Sequence, residues 1–412
     1  MMSLKVLLKN FLLRCLPFYQ HCLVWKLRHK KRINVVFIAM SLSMWRYQHL
    51  YNLLSKHPRF KVSVLILPNN LYEEIEQKKD EDILVDYFKS KNITYILGRY
   101  SQDKYINLRK DLSPDILFYP QPYNGYYTKA LSYNSFYDRL LCYYPYAFWM
   151  SSGDWSYNQP LHKVAWKLFY PTNLHKQDAK KYCFRKAKNM EIVGYPTADD
   201  FLLESHKDIW KKQKYTKKKI IWAPHFTIFS GGEVTHSNFL WMASFMLDLA
   251  RNYSDVVQFT FKPHPHLYSE LCKHKDWGRK RAESYYKMWV EMDNSQLETG
   301  DFVDLFMTSD AMIHDSGSFC VEYQYSQKPV MYIAEDFEEQ VSSKGEFGQL
   351  AMRQQYVGRT KQDIIDFIEN VVLKGDDPMK KSREQFVKDY LLPPNGKTVA
   401  QNTMDVFLKA FC

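Results

Sequence analysis

Short apolar runs separated by amphipathic and polar stretches recur along the whole chain. The first is Ile33–Met40, INVVFIAM, followed by Ser41 and a stretch of helical spacing over Trp45–Lys56. Val62–Leu67, Ile93–Leu97, Asp115–Tyr119 and Leu141–Phe148 repeat the apolar theme, and Met190–Pro196 adds a strand and a turn. Most are nearly continuous in apolar residues, as expected for strands buried on both faces of a parallel sheet. After a Lys-rich stretch the pattern restarts with Lys219–Pro224, a helix over Ser237–Asn252 and a strand over Val256–Lys262. A charged helical region at 268–293 and a short helix at Phe302–Thr308 lead to strands Ala311–His314 and Val330–Ile333. Helices at 361–373, 380–390 and 398–411 close the chain. Strands alternating with helices predict an α/β architecture of two Rossmann-like domains with a cleft between them.

The length, 412 residues, exceeds what one hydrophobic core usually serves. The boundaries expected from the pattern are an N-terminal segment at 1–31, a first domain at 32–204, a Lys-rich linker at 205–218, a second domain at 219–395 and a terminal helix at 396–412. Seven scattered cysteines with no CxxC pair argue against a disulfide framework or a zinc site and fit a reducing cytoplasm. Only 14 glycines are present, so repeats and low complexity are excluded.

The net charge of +12 is unevenly spread. Residues 1–34 hold Lys5, Lys9, Arg14, Lys26, Arg28, Lys30, Lys31 and Arg32 and no Asp or Glu. The remaining body is only mildly basic and carries no nucleic-acid motif, so nucleic acid is not an expected partner. Within the same segment Leu4, Val6, Leu7, Leu8, Phe11, Leu12, Leu13, Leu16 and Phe18 interleave with Lys5, Lys9 and Arg14. The apolar run is too short and too charged to cross a bilayer. No small-residue cleavage site follows it, which speaks against a signal peptide. A basic amphipathic helix on an anionic cytoplasmic leaflet fits the pattern, as does a helix packed on the first domain. The first core strand begins only at Ile33, so the segment is expected to be dispensable for folding.

Candidate chemistry gathers where strands of the second half end. Ala223-Pro224-His225-Phe226-Thr227, Lys262-Pro263-His264-Pro265-His266 and His314-Asp315-Ser316-Gly317-Ser318 each close an apolar run. In a parallel α/β sheet, ligands bind beyond the carboxyl ends of the strands. Asp315–Ser318 is a tight turn of small residues before a helix, a place where backbone N–H groups meet an anion. Glu322 lies one to two turns on, within reach of ribose hydroxyls. The ordinary alternative for this turn is a helix cap, since Asp and Ser are standard caps. His225, His264 and His266 offer acid, base or phosphate contacts. No metal site is assigned, because an i, i+2 histidine pair alone is weak evidence for zinc. Asp301, Asp304 and Asp310 leave magnesium open as a possible cofactor, with helix capping by Asp301 as the alternative.

The order KIIWAPHFT, FTFKPHPH, DFVDLFMTSDAMIHDSGSF and EYQYSQKPVMYI resembles the C-terminal domain of the CDP-glycerol glycerophosphotransferases, the teichoic-acid-type primases and polymerases of GT-B fold. The DSGS turn is also similar to the DSGG turn of UDP-GlcNAc 2-epimerases. The resemblance covers about residues 190–345 and fades in the N-terminal half. It implies a GT-B-like enzyme with an acceptor domain at 32–204 and a nucleotide-donor domain at 219–395, which binds a CDP-linked polyol donor, lets an acceptor hydroxyl attack the β-phosphorus, and releases CMP. The acceptor would be a glycan or a lipid-linked chain in teichoic acid or capsular polysaccharide synthesis, handled at the inner face of the cell membrane. By motif match His264 falls on the KPHP histidine that touches donor phosphate. Lys262, His266, Asp315, Ser316, Gly317 and Ser318 complete the donor site, and Glu322 falls near a ribose-binding acid. The family's WHG-type segment with its presumed base is absent as such. His225 and His162, the nearest histidine to that region, are the candidates for the base. Competing readings are an inverting glycosyltransferase using a nucleotide sugar, a nucleotide-sugar 2-epimerase, and a catalytically silent module in polysaccharide assembly.

Overall fold

A computed structural model describes residues 4–101, 104–229 and 237–412, with side chains from residue 11 onward in the N-terminal segment. The chain divides into two compact units, residues 1–199 with 392–412, and residues 200–391.

The first unit is built on the strands β1 (Ile33–Ala39), β2 (Phe60–Ile66), β3 (Tyr95–Leu97), a small antiparallel pair β4 (Arg99–Ser101) and β5 (Lys104–Tyr105), then β6 (Ile116–Tyr119), β7 (Leu140–Tyr143), β8 (Lys167–Tyr170) and β9 (Met190–Ile192). Seven of them form one parallel sheet in the order β3-β2-β1-β6-β7-β8-β9. Val35 lies beside Val62 on one side and Ile116 on the other. The strands expected from apolar runs are present. Leu141–Phe148 stops being strand at Tyr143, just before Pro145, which cannot donate to a ladder. β8 is a strand that the apolar pattern does not single out, because its run of four is short.

The second unit holds β10 (Lys218–Ala223), β11 (Val257–Phe261), β12 (Ser295–Leu297), β13 (Ala311–His314), β14 (Val330–Ile333) and β15 (Tyr356–Gly358). They form a parallel sheet in the order β12-β11-β10-β13-β14-β15. β12 and β15 have three residues each, too short to show in a periodicity. Trp222 on β10 is buried among Phe239, Phe261 and Trp289, with ring centroids 5.0–5.7 Å away. Each such ring contributes about 1.5–3 kcal/mol by burial, which anchors the strand whose end carries His225.

The boundaries differ from those expected in two places. Residues 205–217 carry no regular element, but they are not a loose tether. Trp210 is buried, and Lys211 N–H donates to Gln296 Oε1 while Gln258 Nε2 donates to Lys211 O at 2.7 Å, so the stretch is fastened to the second unit. The C-terminal helix Val399–Phe411 belongs to the first unit. Asp199 accepts the N–H groups of Val399 and Ala400 at 2.6 and 2.9 Å, placing a carboxylate on the positive end of that helix. Phe407 then packs against Phe118, Trp166 and Phe169.

The N-terminal helix α1 spans Leu4–Arg28. One face packs on the first unit through Leu13, Val24 and Leu27, with Gln20 2% exposed. Gln20 Nε2 donates to Val164 O at 2.8 Å, and Arg28 Nε donates to Ala410 O at 2.7 Å. The segment therefore contributes to this unit's packing, contrary to the expectation that folding is independent of it. The other face leaves Phe11, Leu12, Phe18 and Trp25 exposed. No helix of the described residues is long and apolar enough to cross a membrane.

Candidate functional site

The sheet order of the second unit reverses between β10 and β13, which run side by side with Ala223 opposite His314. A doubly wound sheet opens a crevice at such a reversal, beyond the strand ends. His225 and Asp315 follow immediately. β11, the other neighbour of β10, delivers Lys262, His264 and His266. The three segments singled out in the sequence thus share one rim of one sheet.

Asp315 is 2% exposed and holds this rim together. Its Oδ1 accepts the His225 N–H at 2.6 Å, and its Oδ2 accepts the Asn238 N–H at 2.5 Å. Burial pushes its carboxyl up to about 6, against the opposing pull of these N–H donors. The side chain is therefore a brace beneath the turn, where the sequence suggested a donor contact. Asn238 also donates its side-chain amide to Ile333 O at 3.0 Å, tying β14 to the same point. Asn238 carries no motif and is not visible as a site residue in the sequence.

His314 fixes the turn from the other side. Its Nδ1 accepts the Ser316 N–H at 3.1 Å, and its Nε2 lies 2.7 Å from Gln355 Oε1, so the neutral ring carries its proton on Nε2. Burial lowers its pKa to about 4. The following N–H groups, of Gly317, Ser318 and Phe319, have no acceptor among the described residues. A Cβ at Gly317 would meet nothing within 4 Å, so the turn faces open space there. Exposed N–H groups on an uncovered turn suit an anionic ligand. Glu322 is 2% exposed, below the turn.

His264 sits among aromatic neighbours, with the rings of Phe226, His225 and His266 at 4.4, 5.1 and 5.4 Å. Burial, then His225 and His266, lower its pKa to about 3. Its Nδ1 accepts the His266 N–H at 3.2 Å, leaving Nε2–H as the donor of a neutral imidazole. His225 Nδ1 is 3.0 Å from Thr227 Oγ1. Lys262 donates to Gly300 O at 2.8 Å and is 5% exposed. Burial pushes its ammonium down to about 8, while Glu298 and Asp301 hold it up. It braces the loop after β12, a role that the KPHP motif alone does not reveal.

The remaining candidates are held in local structure. His162 lies in the first unit, 2% exposed, and burial lowers its pKa to about 3. Its Nδ1 accepts the Gln159 N–H and its Nε2 is 2.8 Å from Tyr170 Oη, so both nitrogens serve a helix cap and the core. Asp301 Oδ1 accepts the Phe302 N–H at 2.6 Å and lies 3.5 Å from the Val303 N–H, just before the helix Val303–Thr308. Asp304 meets His206, and Asp310 accepts the Lys219 N–H. Among the described residues no three His, Cys, Asp or Glu side chains converge as a metal site.

Residues 155–405 match the family model of CDP-glycerol:poly(glycerophosphate) glycerophosphotransferase. The chain belongs to this family. It is 24% identical over 202 residues to a teichoic acid poly(ribitol-phosphate) polymerase of Bacillus spizizenii, covering 47% of this chain and 28% of that protein. The match thus spans under a third of that relative's length. In fold it is similar to a variant of the wall teichoic acid polymerase TagF, with a TM-score of 0.60 and 13% identity over 98% of this chain and 95% of that one. UDP-GlcNAc 2-epimerase from Neisseria meningitidis, solved with UDP-GlcNAc, gives a TM-score of 0.56 at 14% identity over 92% and 100%. The fold is α/β and GT-B-like.

Proposed function

We propose that this protein transfers glycerol phosphate, or a similar polyol phosphate, from a CDP-linked donor to a glycan or lipid-linked acceptor, in teichoic acid or capsular polysaccharide synthesis. The observation that carries the reading is the rim at the β10/β13 reversal, where an uncovered N–H turn and a neutral His264 occur in a member of the glycerophosphotransferase family. In the reaction an acceptor hydroxyl oxygen bonds to the β-phosphorus. The bond from that phosphorus to the bridging oxygen breaks, and CMP leaves with the electron pair. Such transfers depend on holding groups in line and neutralising spreading charge. The turn at Ser316–Ser318 supplies N–H donors, and His264 Nε2–H supplies another. Because His264 carries that proton when neutral, it is a donor to phosphate oxygen and not the base. His225 is the candidate that takes the acceptor proton.

A thermal-shift screen with CDP-glycerol, CDP-ribitol, CMP, UDP-sugars and GDP-sugars tests the reading, since a ligand of the native state raises apparent stability. Stabilisation by CDP-linked polyols, followed by CMP release with an acceptor, is the expected result. A shift with UDP-sugars alone would replace it with a glycosyltransferase or epimerase.

The exposed stripe of α1 supports a seat on an anionic lipid surface at the inner face of the cell membrane. Phe11, Phe18 and Trp25 recur every seven residues and so share a face, beside cations with no acidic residue among them.

A further inference from the structure

Two buried residues from different parts of the second unit meet behind the Asp315–Ser318 turn. His314 ends β13 and is 1% exposed, and Gln355 immediately precedes β15 and is 3% exposed. β14 lies between these strands in the sheet, so the contact joins strands that are not neighbours.

The direction of each hydrogen bond in this group follows from one backbone donor. Ser316 N–H can only donate, so His314 Nδ1, 3.1 Å away, is the acceptor. A neutral ring with its lone pair on Nδ1 carries its proton on Nε2. The atom 2.7 Å from Nε2 is accordingly the Gln355 oxygen, Oε1. The reverse orientation of this amide would set its N–H groups against the ring N–H.

Gln355 thereby selects the form of His314 that holds the turn. The other neutral form and the imidazolium both carry a proton on Nδ1, and in either one Ser316 N–H loses its acceptor. Asn and Asp make the same bond to the residue two positions on without help, in an Asx turn. Histidine makes it in one tautomer only and needs a second residue to select that tautomer. The Ser316 carbonyl is fixed as well. Cys320 Sγ donates to it at 3.4 Å, and the Gln355 amide lies beside that thiol. Gln324, fully buried, donates to Cys320 O at 3.1 Å.

The titratable groups around the ring leave the selection to Gln355. Asp315 gives its carboxylate to the N–H groups of His225 and Asn238. Tyr332 packs edge-on to His314 at 5.4 Å, and burial, then Cys320 and Asp315, push its hydroxyl up. Burial pushes the Cys320 thiol up to about 12, and Lys344 is the cation near that thiol.

We propose that His314 and Gln355 are positioning residues for the donor phosphates: Gln355 fixes the ring form of His314, and His314 in turn fixes the Ser316–Ser318 turn in the shape that meets an anion. The assignment to a CDP-linked donor rests on the transferase reading. The effect on the turn does not.

The test uses the full chain, titration with CDP at pH 6 and pH 8, and amide exchange of the peptide that contains Ser316. Gln355→Leu should weaken CDP binding about two- to tenfold, the worth of one hydrogen bond, and should speed exchange at Ser316 in the absence of CDP. His314→Leu should lose at least as much affinity, and His314→Asn, which carries its own acceptor, should recover part of it. Added to His314→Asn, Gln355→Leu should cost less than about twofold, because the two positions act through one bond. Gln355→Glu sets a carboxylate on the ring and favours the imidazolium. Its CDP affinity relative to wild type should therefore fall at least about fivefold from pH 8 to pH 6, a ratio from which the titration of CDP itself cancels. If Gln355→Leu fails to fold, Gln355→Glu and the His314 pair carry the test. Unchanged affinity and unchanged Ser316 exchange in Gln355→Leu overturn the proposal. So does an equal cost of Gln355→Leu with and without His314→Asn, and so does a loss of stability in Gln355→Glu with no change in the affinity ratio between the two pH values. If wild type binds no CDP, the donor reading falls, and exchange at Ser316 alone decides whether the pair holds the turn.

Discussion

The Asp315 carboxylate accepts the His225 backbone N–H at 2.6 Å, so the residue after β13 sets the position of the loop after β10. Asp315→Ala leaves the N–H groups of His225 and Asn238 without this acceptor. Each orphan costs about 1–3 kcal/mol, so a loss of about 2–6 kcal/mol in urea unfolding is expected. CDP binding should weaken in parallel, measured by titration.

The same carboxyl makes stability depend on pH. Its folded pKa of about 6 lies above the ordinary carboxyl value of 3.8, so between these values the folded state holds more proton than the unfolded one. Stability from this group is then greatest below about pH 4 and falls as pH rises through 6. Asp315→Asn removes the titration. The unfolding free energy of wild type minus that of Asp315→Asn is expected to decrease from pH 4 to pH 7. A flat difference would show that Asp315 titrates as an ordinary carboxylate.

His264→Ala should lower kcat by about 10²–10³ while the chain still folds, because one donor to the transition state is lost. His264→Gln keeps an N–H near the Nε2 position and should recover part of the rate. If alanine and glutamine were equally inactive, a role for His264 beyond donation would be indicated. A pKa of about 3 also means that no limb of the kcat/KM profile near neutral pH belongs to His264.

Gly317→Ala is expected to melt as wild type does, since its Cβ would meet nothing within 4 Å. The methyl would instead project where the proposed donor phosphates sit, so the KM for the donor should rise several-fold with little change in stability. Unchanged donor kinetics would place the ligand elsewhere.

Two kinds of change in α1 should separate. Removing residues 1–30 should destabilise the protein, because Gln20 and Leu27 are buried against the first unit. Phe18→Ser with Trp25→Ser alters exposed positions and should leave melting unchanged while reducing co-sedimentation with anionic vesicles. Equal sedimentation of this variant and wild type would remove the lipid-facing role of the stripe.

The sequence by itself determined the α/β class, most of the strands, and the three segments that meet on the rim of the second unit. Continuous apolar runs such as INVVFIAM admit few other fates than a strand covered on both faces, and a strand's last residue points to its ligand end. The family could be recognised from KPHP and DSGS because backbone turns of that kind depend on a few local residues. Tertiary structure decided the roles within the rim. Whether Asp315 touches a ligand or braces a loop depends on His225 and Asn238, which are about 80–90 residues away in sequence. His162 could be taken for a base until burial placed both its nitrogens in hydrogen bonds with Gln159 and Tyr170. The destination of the last helix was likewise invisible, because the carboxylate that caps it, Asp199, lies 200 residues earlier. Gln355 was hidden for the same reason. It carries no motif, and only the packed sheet brings its amide to His314, 41 residues earlier.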